Sequence, residues 1–494
     1  NVVCSYKKCE VELRDSYKLL PFGLKKLCND FNLPKEICKK EAINYRYYEK
    51  HNNGKRIKTK RYRKQLSNAD KLVFDEVIND EVSYDPETKT FNPWSYYKKY
   101  LRFDCLSLKA LLQKFNKLIV DITYNEKTNK SMSVYDCLTI SSLTDKYMRD
   151  QGAYDGIYEV SGNLRAYIGK AVYGGRVCVN NKYKKQVIEE KMADYDGVSL
   201  YPSAIHRLCN EIGLAQGMAT RYNKNELNEW RKKTFSVLTI KILKVNKIQQ
   251  MPFIAVRSEG SIEYTNKAPD KAFEIDSIGL EDLIKFHNIE YEVLDGVYWN
   301  EGVNKQMGKT ISKLFNERLK YKKSNKALAN TLKLMLNSSY GKTIMKQTNT
   351  RKQIIKESTN KYNKKTKKWE IKNATNFNDY VCNNFNTIKS YRKLNDNTYE
   401  IEMICADNSY NRAHIGCSIL SMSKRIMNEV FDVANDLKVP IYYTDTDSLH
   451  CKYDDVPKIE EAYFKTYKKK LNGKQLGQFH TDFSLDGACD EIYA

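Results

Sequence analysis

The sequence predicts an α+β chain of several subdomains, and three observations carry that reading. Its 494 residues exceed what one core organises, because single cores stop growing at roughly 250–300 residues and longer chains divide. Stretches with helical apolar spacing alternate with stretches of strand-like alternation. The unusual local chemistry is concentrated in short segments separated by long charged inserts.

The elements follow in chain order. "LRDSYKLLPFGLKKLCNDFNL" passes from a turn at Asp15-Ser16-Tyr17 into a helix with Leu24, Leu27 and Phe31 on one stripe. Residues 55–64, "KRIKTKRYRK", hold seven Lys or Arg in ten and no apolar period, so an exposed loop or arm is expected. A helix over 100–118 buries Leu108, Leu111, Phe115 and Leu118. Residues 210–305 mix strands and helices, including the alternating "FSVLTIKIL", and helices resume at 306–340. Residues 347–410 are expected to be a poorly packed, charged insert with a second basic run, "KYNKKTKK". A helix, "GCSILSMSKRIMNEVFDVAND", and a hairpin, "VPIYYTDTDSLHCKY", close the pattern.

The formal net charge of +23 draws a polyanion, whose phosphates displace the protein's counterions, so nucleic acid is the leading partner. A membrane-surface protein is disfavoured, since the chain has no apolar run of about 18 residues and no basic amphipathic anchor. Thirteen Cys without a CxxC pair lack the clustering of a zinc site and read as reduced core thiols in an intracellular setting. The chain starts at Asn1 and stops at Ala494, and both ends are expected to be cuts.

Three segments carry chemistry. In the hairpin, "DTDS" turns the chain and places Asp445 and Asp447 at its tip. An i, i+2 carboxylate pair suits Mg²⁺, which takes carboxylates plus substrate phosphates; alone, the same residues make an ordinary turn. In "ADYDGVSLYPSAI" a strand ends at Asp196, Pro202 pre-sets a helix, and the amides of Ser199, Leu200 and Tyr201 are free to face an anion; alone, this is a capped helix after a strand. The third is one helix over 318–340 with Arg318, Lys322, Lys326, Lys333, Asn337 and Tyr340 on one face and Leu328, Leu332 and Met335 on the buried side. Its cationic face suits a triphosphate, and Ser338, Ser339 and Gly341 end it where a base pair needs close backbone approach.

"DGVSLYP", "KLMLNSSYG" and "YTDTDS" resemble, in order, motifs A, B and C of family B DNA polymerases, a resemblance covering most of residues 137–490. It implies a right-hand architecture, with an antiparallel-sheet palm and helical fingers, and two Mg²⁺ ions, with Mn²⁺ as the alternative. Carried over, Asp196 and Asp447 are the principal metal ligands, Asp445 a weaker participant, and the Gly197 carbonyl a further ligand, with Asp194 only a neighbour. Tyr201 lies under the incoming sugar and excludes a 2′-OH. Lys333 grips the triphosphate with Arg318 and Lys322 on the same face, and Asn337 and Tyr340 shape the nascent-pair pocket. "VYGGRV" resembles a template-binding YxGG turn, giving Tyr173, Gly174 and Gly175 as DNA contacts, although Val172 stands where the pattern has Tyr. "YLRFD", with Tyr100 and Asp104, resembles the third motif of an RNase H-like proofreading exonuclease. The first two exonuclease motifs and the thumb are not found, so no proofreading is expected of this stretch.

The resemblance divides the chain into an exonuclease remnant (1–130), palm (131–207 and 411–494), fingers (306–345) and insertions at 208–305 and 346–410. The motif spacing leaves 130 residues between Pro202 and Lys333 and 104 between Gly341 and Thr446, room for the two insertions of the protein-primed branch. The expected partners are template-primer DNA, dNTPs and a terminal priming protein, in a virus-infected cell or a compartment carrying a linear plasmid. A non-catalytic DNA-binding relative and an RNA-primed family B enzyme stay open. A reverse transcriptase is disfavoured because Thr446 separates the aspartates that a YxDD turn makes adjacent.

Overall fold

The computed structural model describes residues 2–6, 9–34, 38, 55–78, 84–126, 128–258, 261–345, 350–357, 359–363, 368–372, 376–404, 411–481 and 492–493. They belong to two compact units: residues 1–155, 205–211 and 304–339, and residues 156–204, 212–303 and 340–494. Helices and sheets are mixed, as the sequence predicts.

In the first unit the longest helix, Pro93–Thr123, starts where Asn92 Oδ1 accepts the Trp94 and Ser95 amides and Pro93 occupies the first turn. Its buried stripe includes Tyr100, Ser107, Leu111, Phe115 and Ile119, so Leu108 and Leu118, expected inside, are half-buried. Leu27 and Phe31 are buried, and Phe31 meets Phe115 edge-on at 6.1 Å.

The basic stretch 55–64 is not the expected arm. It forms a strand, Ile57–Lys58, and a helix, Thr59–Arg63. The reason is Tyr62, the one ring in the stretch, which is fully buried against Phe74, Phe91 and Tyr96 at centroid distances of 5.2, 5.1 and 6.4 Å. Burying one such ring among others outweighs the exposure of its charged neighbours, and Arg63 turns outward to Asp75.

The helix expected over 318–340 is two helices, Gln306–Ser324 and Lys326–Ser338. Asn325 breaks it: its backbone is extended (φ −146°, ψ 89°) and its side chain accepts the Leu328 amide at 3.0 Å, a bond that favours a new helix start over continuation. Arg318 and Lys322 therefore stand on one helix, Lys326, Lys333 and Asn337 on the next, and Tyr340 beyond both. The single cationic face does not form. Leu328, Leu332 and Met335 are buried as predicted, and the second helix packs on Gln306–Ser324 and on Ile140–Asp150.

The second unit holds a five-stranded antiparallel sheet in the order Phe479–Thr481, Met192–Gly197, Ser448–Lys452, Tyr443–Asp445, Val177–Val179. A four-stranded sheet joins Thr220–Arg221, Ile289–Trp299, Phe235–Val245 and Phe273–Asp276. Asp276 then caps the helix Ser277–His287 by accepting the Gly279 amide. The helix Ala413–Asp436 is buried along most of its length and packs against Ser277–His287.

Within the charged insert, Thr350–Lys356, Thr398–Ile404 and Ile388–Asn395 form a three-stranded sheet whose first and last strands are mostly exposed. Cross-strand ion pairs of Lys352 and Arg392 with Glu400, and of Lys389 with Glu402, replace the missing apolar period. Of the basic run 361–368, residues 364–367 lie outside the described residues. Cys28, Cys137, Cys209, Cys417 and Cys451 are buried thiols, whereas Cys105 and Cys382 are exposed and are not core residues. Among the described residues no helix is long and apolar enough to cross a membrane.

Candidate active site

The hairpin turns within two residues, Asp445 pairing with Ser448. The Asp447 amide donates to the Asp445 carbonyl at 2.6 Å across Thr446, whose φ is +57°. An i→i+2 bond over positive φ is the rarer γ-turn geometry, strained for any β-branched residue. Neighbours hold it in place. The Thr446 amide donates to the Arg176 carbonyl at 2.7 Å, and the Thr446 side chain lies so close over Gly175 that a Cβ there would be 2.6 Å from Cγ2.

Strand register assembles the carboxylates. Asp196 pairs with Ser448, and Ser448 with Asp445, so Asp196 and Asp445 share a face on either side of Ser448, with backbones about two strand spacings, roughly 9–10 Å, apart. Asp447 is nearer: its carbonyl accepts the Gly197 amide at 2.7 Å. One row along, Asp194 pairs with His450, whose Nε2 is 3.4 Å from Asp194 Oδ1. Among the described residues no three His, Cys, Asp or Glu side chains form a cluster that would hold an ion unaided. The carboxylates of Asp196, Asp445 and Asp447 are hard oxygen donors, the type that Mg²⁺ takes together with substrate oxygens.

Beyond Gly197 the chain makes a second strained turn, with Ser199 at φ +50°, into the helix Leu200–Glu211. The turn is pinned by the Val198 amide on the Gln478 carbonyl at 2.8 Å and by Ser203 Oγ, which donates to the Val198 carbonyl at 2.7 Å and accepts the Gly477 amide at 2.8 Å. Leu200 and Tyr201 head the helix, where no preceding carbonyl lies one turn back for their amides, and Pro202 has none to offer; a helix start of this kind attracts an anion.

The Tyr201 ring stacks on Tyr340 with centroids 4.2 Å apart at 27°. Burial, then the Tyr340 hydroxyl and the Asp447 carboxylate, push the Tyr201 hydroxyl above the usual phenol range. Residues from all three segments thus meet around one ring. Within the first unit, Lys322, Lys333 and Asn337 are exposed, and burial lowers the pKa of the half-buried Arg318. Tyr173 is buried beneath the Arg257 guanidinium, 4.8 Å from its ring. Tyr100 is buried and Asp104 half-buried on the long helix. Arg176, Lys424, Asn428 and Ser203 escaped sequence reasoning; the one signal available was an Arg directly after Gly-Gly at the head of the otherwise apolar "VCV".

With this geometry in view, comparison places the chain. Residues 1–435 match the family of organellar and viral type B DNA polymerases, and the chain belongs to that family. It is 24% identical over 433 residues to a DNA polymerase of Kluyveromyces lactis, an alignment covering 84% of this chain and 38% of that protein. Phi29 DNA polymerase with primer-template DNA and incoming nucleotides superposes with a TM-score of 0.55 at 18% identity, over 94% of this chain and 64% of that one. Its binary complex with primer-template DNA gives 0.55 at 16%, over 96% and 65%. At these identities the likeness shows the fold. The chain spans less than two thirds of the length of each of these relatives.

Proposed function

We propose that this chain is the nucleotidyl-transfer portion of a template-directed DNA polymerase that adds dNTPs to a primer 3′-OH or to the hydroxyl of a priming protein. The observation that carries the reading is the register that sets Asp196 and Asp445 on one sheet face while the Gly197 amide binds the Asp447 carbonyl. Asp196 and Asp447, with the Gly197 carbonyl, would hold divalent ions; Asp445 stands beside them. Mg²⁺ bound there would acidify the attacking hydroxyl and neutralise charge developing on the phosphates. The Leu200 and Tyr201 amides and the Ser199 turn receive the phosphate end; the motif resemblance assigns Lys333, with Arg318 and Lys322, to the same triphosphate. The stacked Tyr201 and Tyr340 form a wall against which sugar and base rest, closing the space a 2′-OH would need; the motif resemblance assigns Asn337 to the nascent pair.

In this reading residues 131–207 and 411–494 are palm, 306–345 fingers, and 1–130, with Tyr100 and Asp104, an exonuclease remnant. The insertions at 208–305 and 346–410 receive DNA and the priming protein, and Tyr173, Gly174 and Gly175 follow the template. Phi29 polymerase, the structural relative, is seen with primer-template DNA and nucleotides, which supports the same partners here.

The test is Mg²⁺-dependent extension of a labelled primer by the full-length protein and its Asp447→Asn form, with each dNTP and rNTP. Extension with dNTPs alone, lost on substitution while DNA affinity persists, is the expected result. DNA binding without extension by either form would instead identify a non-catalytic relative.

A further inference from the structure

Arg176 is an arginine where a core residue is expected. It is 4% exposed, with its guanidinium carbon 4.7 Å from the Phe253 ring centroid and 5.1 Å from those of Tyr264 and Phe431. Its Nη2 donates to Asn428 Oδ1 at 2.7 Å, and Nε and Nη1 have no hydrogen-bond partner among the described residues. A buried cation without a directly paired carboxylate is costly to the fold, and an apolar group of similar volume usually serves stability as well or better.

Its neighbours show what the arrangement does. Residues 173–176 are clipped at both ends to the helix Ala413–Asp436: Lys424 Nζ donates to the Tyr173 carbonyl at 2.9 Å, and Asn428 accepts from Arg176. Positions 424 and 428 are one helical turn apart, on one face. Asn428 is itself held by its amide to Asp282 Oδ2 at 3.0 Å, and Asp282 by Arg425 at 2.6 Å. Between the clips, Gly175 lies under the Thr446 side chain and the Arg176 carbonyl accepts the Thr446 amide. Thr446 is the strained centre of the turn whose flanking residues are Asp445 and Asp447.

We infer that Arg176 is a positioning residue for the carboxylate hairpin: its guanidinium, locked among three rings and Asn428, fixes the carbonyl that holds Thr446 at positive φ and so sets the spacing of Asp445 and Asp447. Its link to catalysis rests on the polymerase reading above; its mechanical part does not.

The test compares Arg176→Met, which keeps the stem and fills the cage, with Arg176→Lys and Asn428→Ala in the full-length protein. Hydrogen exchange of the peptide spanning 441–452 reports the brace without any activity. The expected result is several-fold faster exchange at 444–447 in Arg176→Met and Asn428→Ala, with no fall in Tm for the Met form and partial recovery in the Lys form. In primer extension, the Met form is expected to show kcat lower by about 10- to 100-fold and a raised Mg²⁺ requirement, with a dNTP KM close to that of the unmodified protein, as when a support of metal ligands is lost. Unchanged exchange at 444–447 would overturn the inference, as would activity loss that merely follows a fall in Tm. Faster exchange in a protein whose unmodified form extends no primer would sink the polymerase reading and leave the brace standing.

Discussion

Replacing Gly175 by Ala tests how tightly the carboxylate hairpin is held. Gly175 is not among the residues with positive φ, so the backbone admits Ala and only the added methyl matters. That methyl would lie 2.6 Å from Thr446 Cγ2, 2.8 Å from Oγ1 and 3.0 Å from Cβ. Carbon contacts are optimal near 3.5–4.0 Å, so Thr446 must retreat by roughly 1 Å. Overpacking of this kind costs about 1–3 kcal/mol of stability. A displacement of about 1 Å at a reacting group costs on the order of 100-fold in rate. Steady-state primer extension at saturating DNA should therefore show kcat down by about that factor, while Tm falls by only a few degrees. Thr446→Gly removes the clashing side chain and also suits the positive φ, so the double variant Gly175→Ala/Thr446→Gly should regain most of the rate and show a coupling energy of about 1–3 kcal/mol. A Gly175→Ala protein with unchanged kcat, or a double variant no better than the single one, would refute the argument that this contact sets the hairpin.

Other substitutions probe separate links. Tyr201→Ala removes one member of the ring stack and should raise rNTP use relative to dNTP by about 10- to 100-fold, measured as the ratio of kcat/KM values. Asp282→Ala leaves Arg425 and Asn428 without their buried partner and should cost about 3–5 kcal/mol in denaturant unfolding. Acid lability follows from two buried histidines. His287 accepts the Phe253 amide through Nε2 at 3.1 Å, with Nδ1 2.9 Å from the Lys247 carbonyl, and burial lowers its pKa. His414 is stacked on Trp299 at 4.7 Å, and burial takes it down to about 3. Both folded pKa values lie below the unfolded one, so their contribution is complete above about pH 6.5 and is lost as pH falls towards the folded values, at about 1.4 kcal/mol per pH unit for each group. Tm should drop between pH 7 and 5, and His414→Phe should flatten the drop; an unchanged pH profile would count against a neutral His414.

The sequence by itself determined what is local. Asp445 and Asp447 announce their turn because turn-forming residues lie between two strand-like runs, and Asp196 announces its own because strand, turn and Pro202 lie within a dozen positions. The buried side of Lys326–Ser338 was legible as Leu328, Leu332 and Met335, since helical spacing is a short-range signal. Asn325 was missed: apolar periodicity on both sides reads as one helix, and only the structure shows its side chain capping a second one. What only the tertiary structure decided lies between residues far apart in the chain. Tyr62 reads as part of a cationic run until Phe74, Phe91 and Tyr96 enclose it. Nothing in the sequence ties Arg176 to Asn428, 252 positions away, because neither periodicity nor motif encodes which distant side chain completes a buried polar group. The pairing of Tyr201 with Tyr340 has the same origin: ring stacking and burial depend on how strands and helices come together in space, and that is a property of the packed chain as a whole.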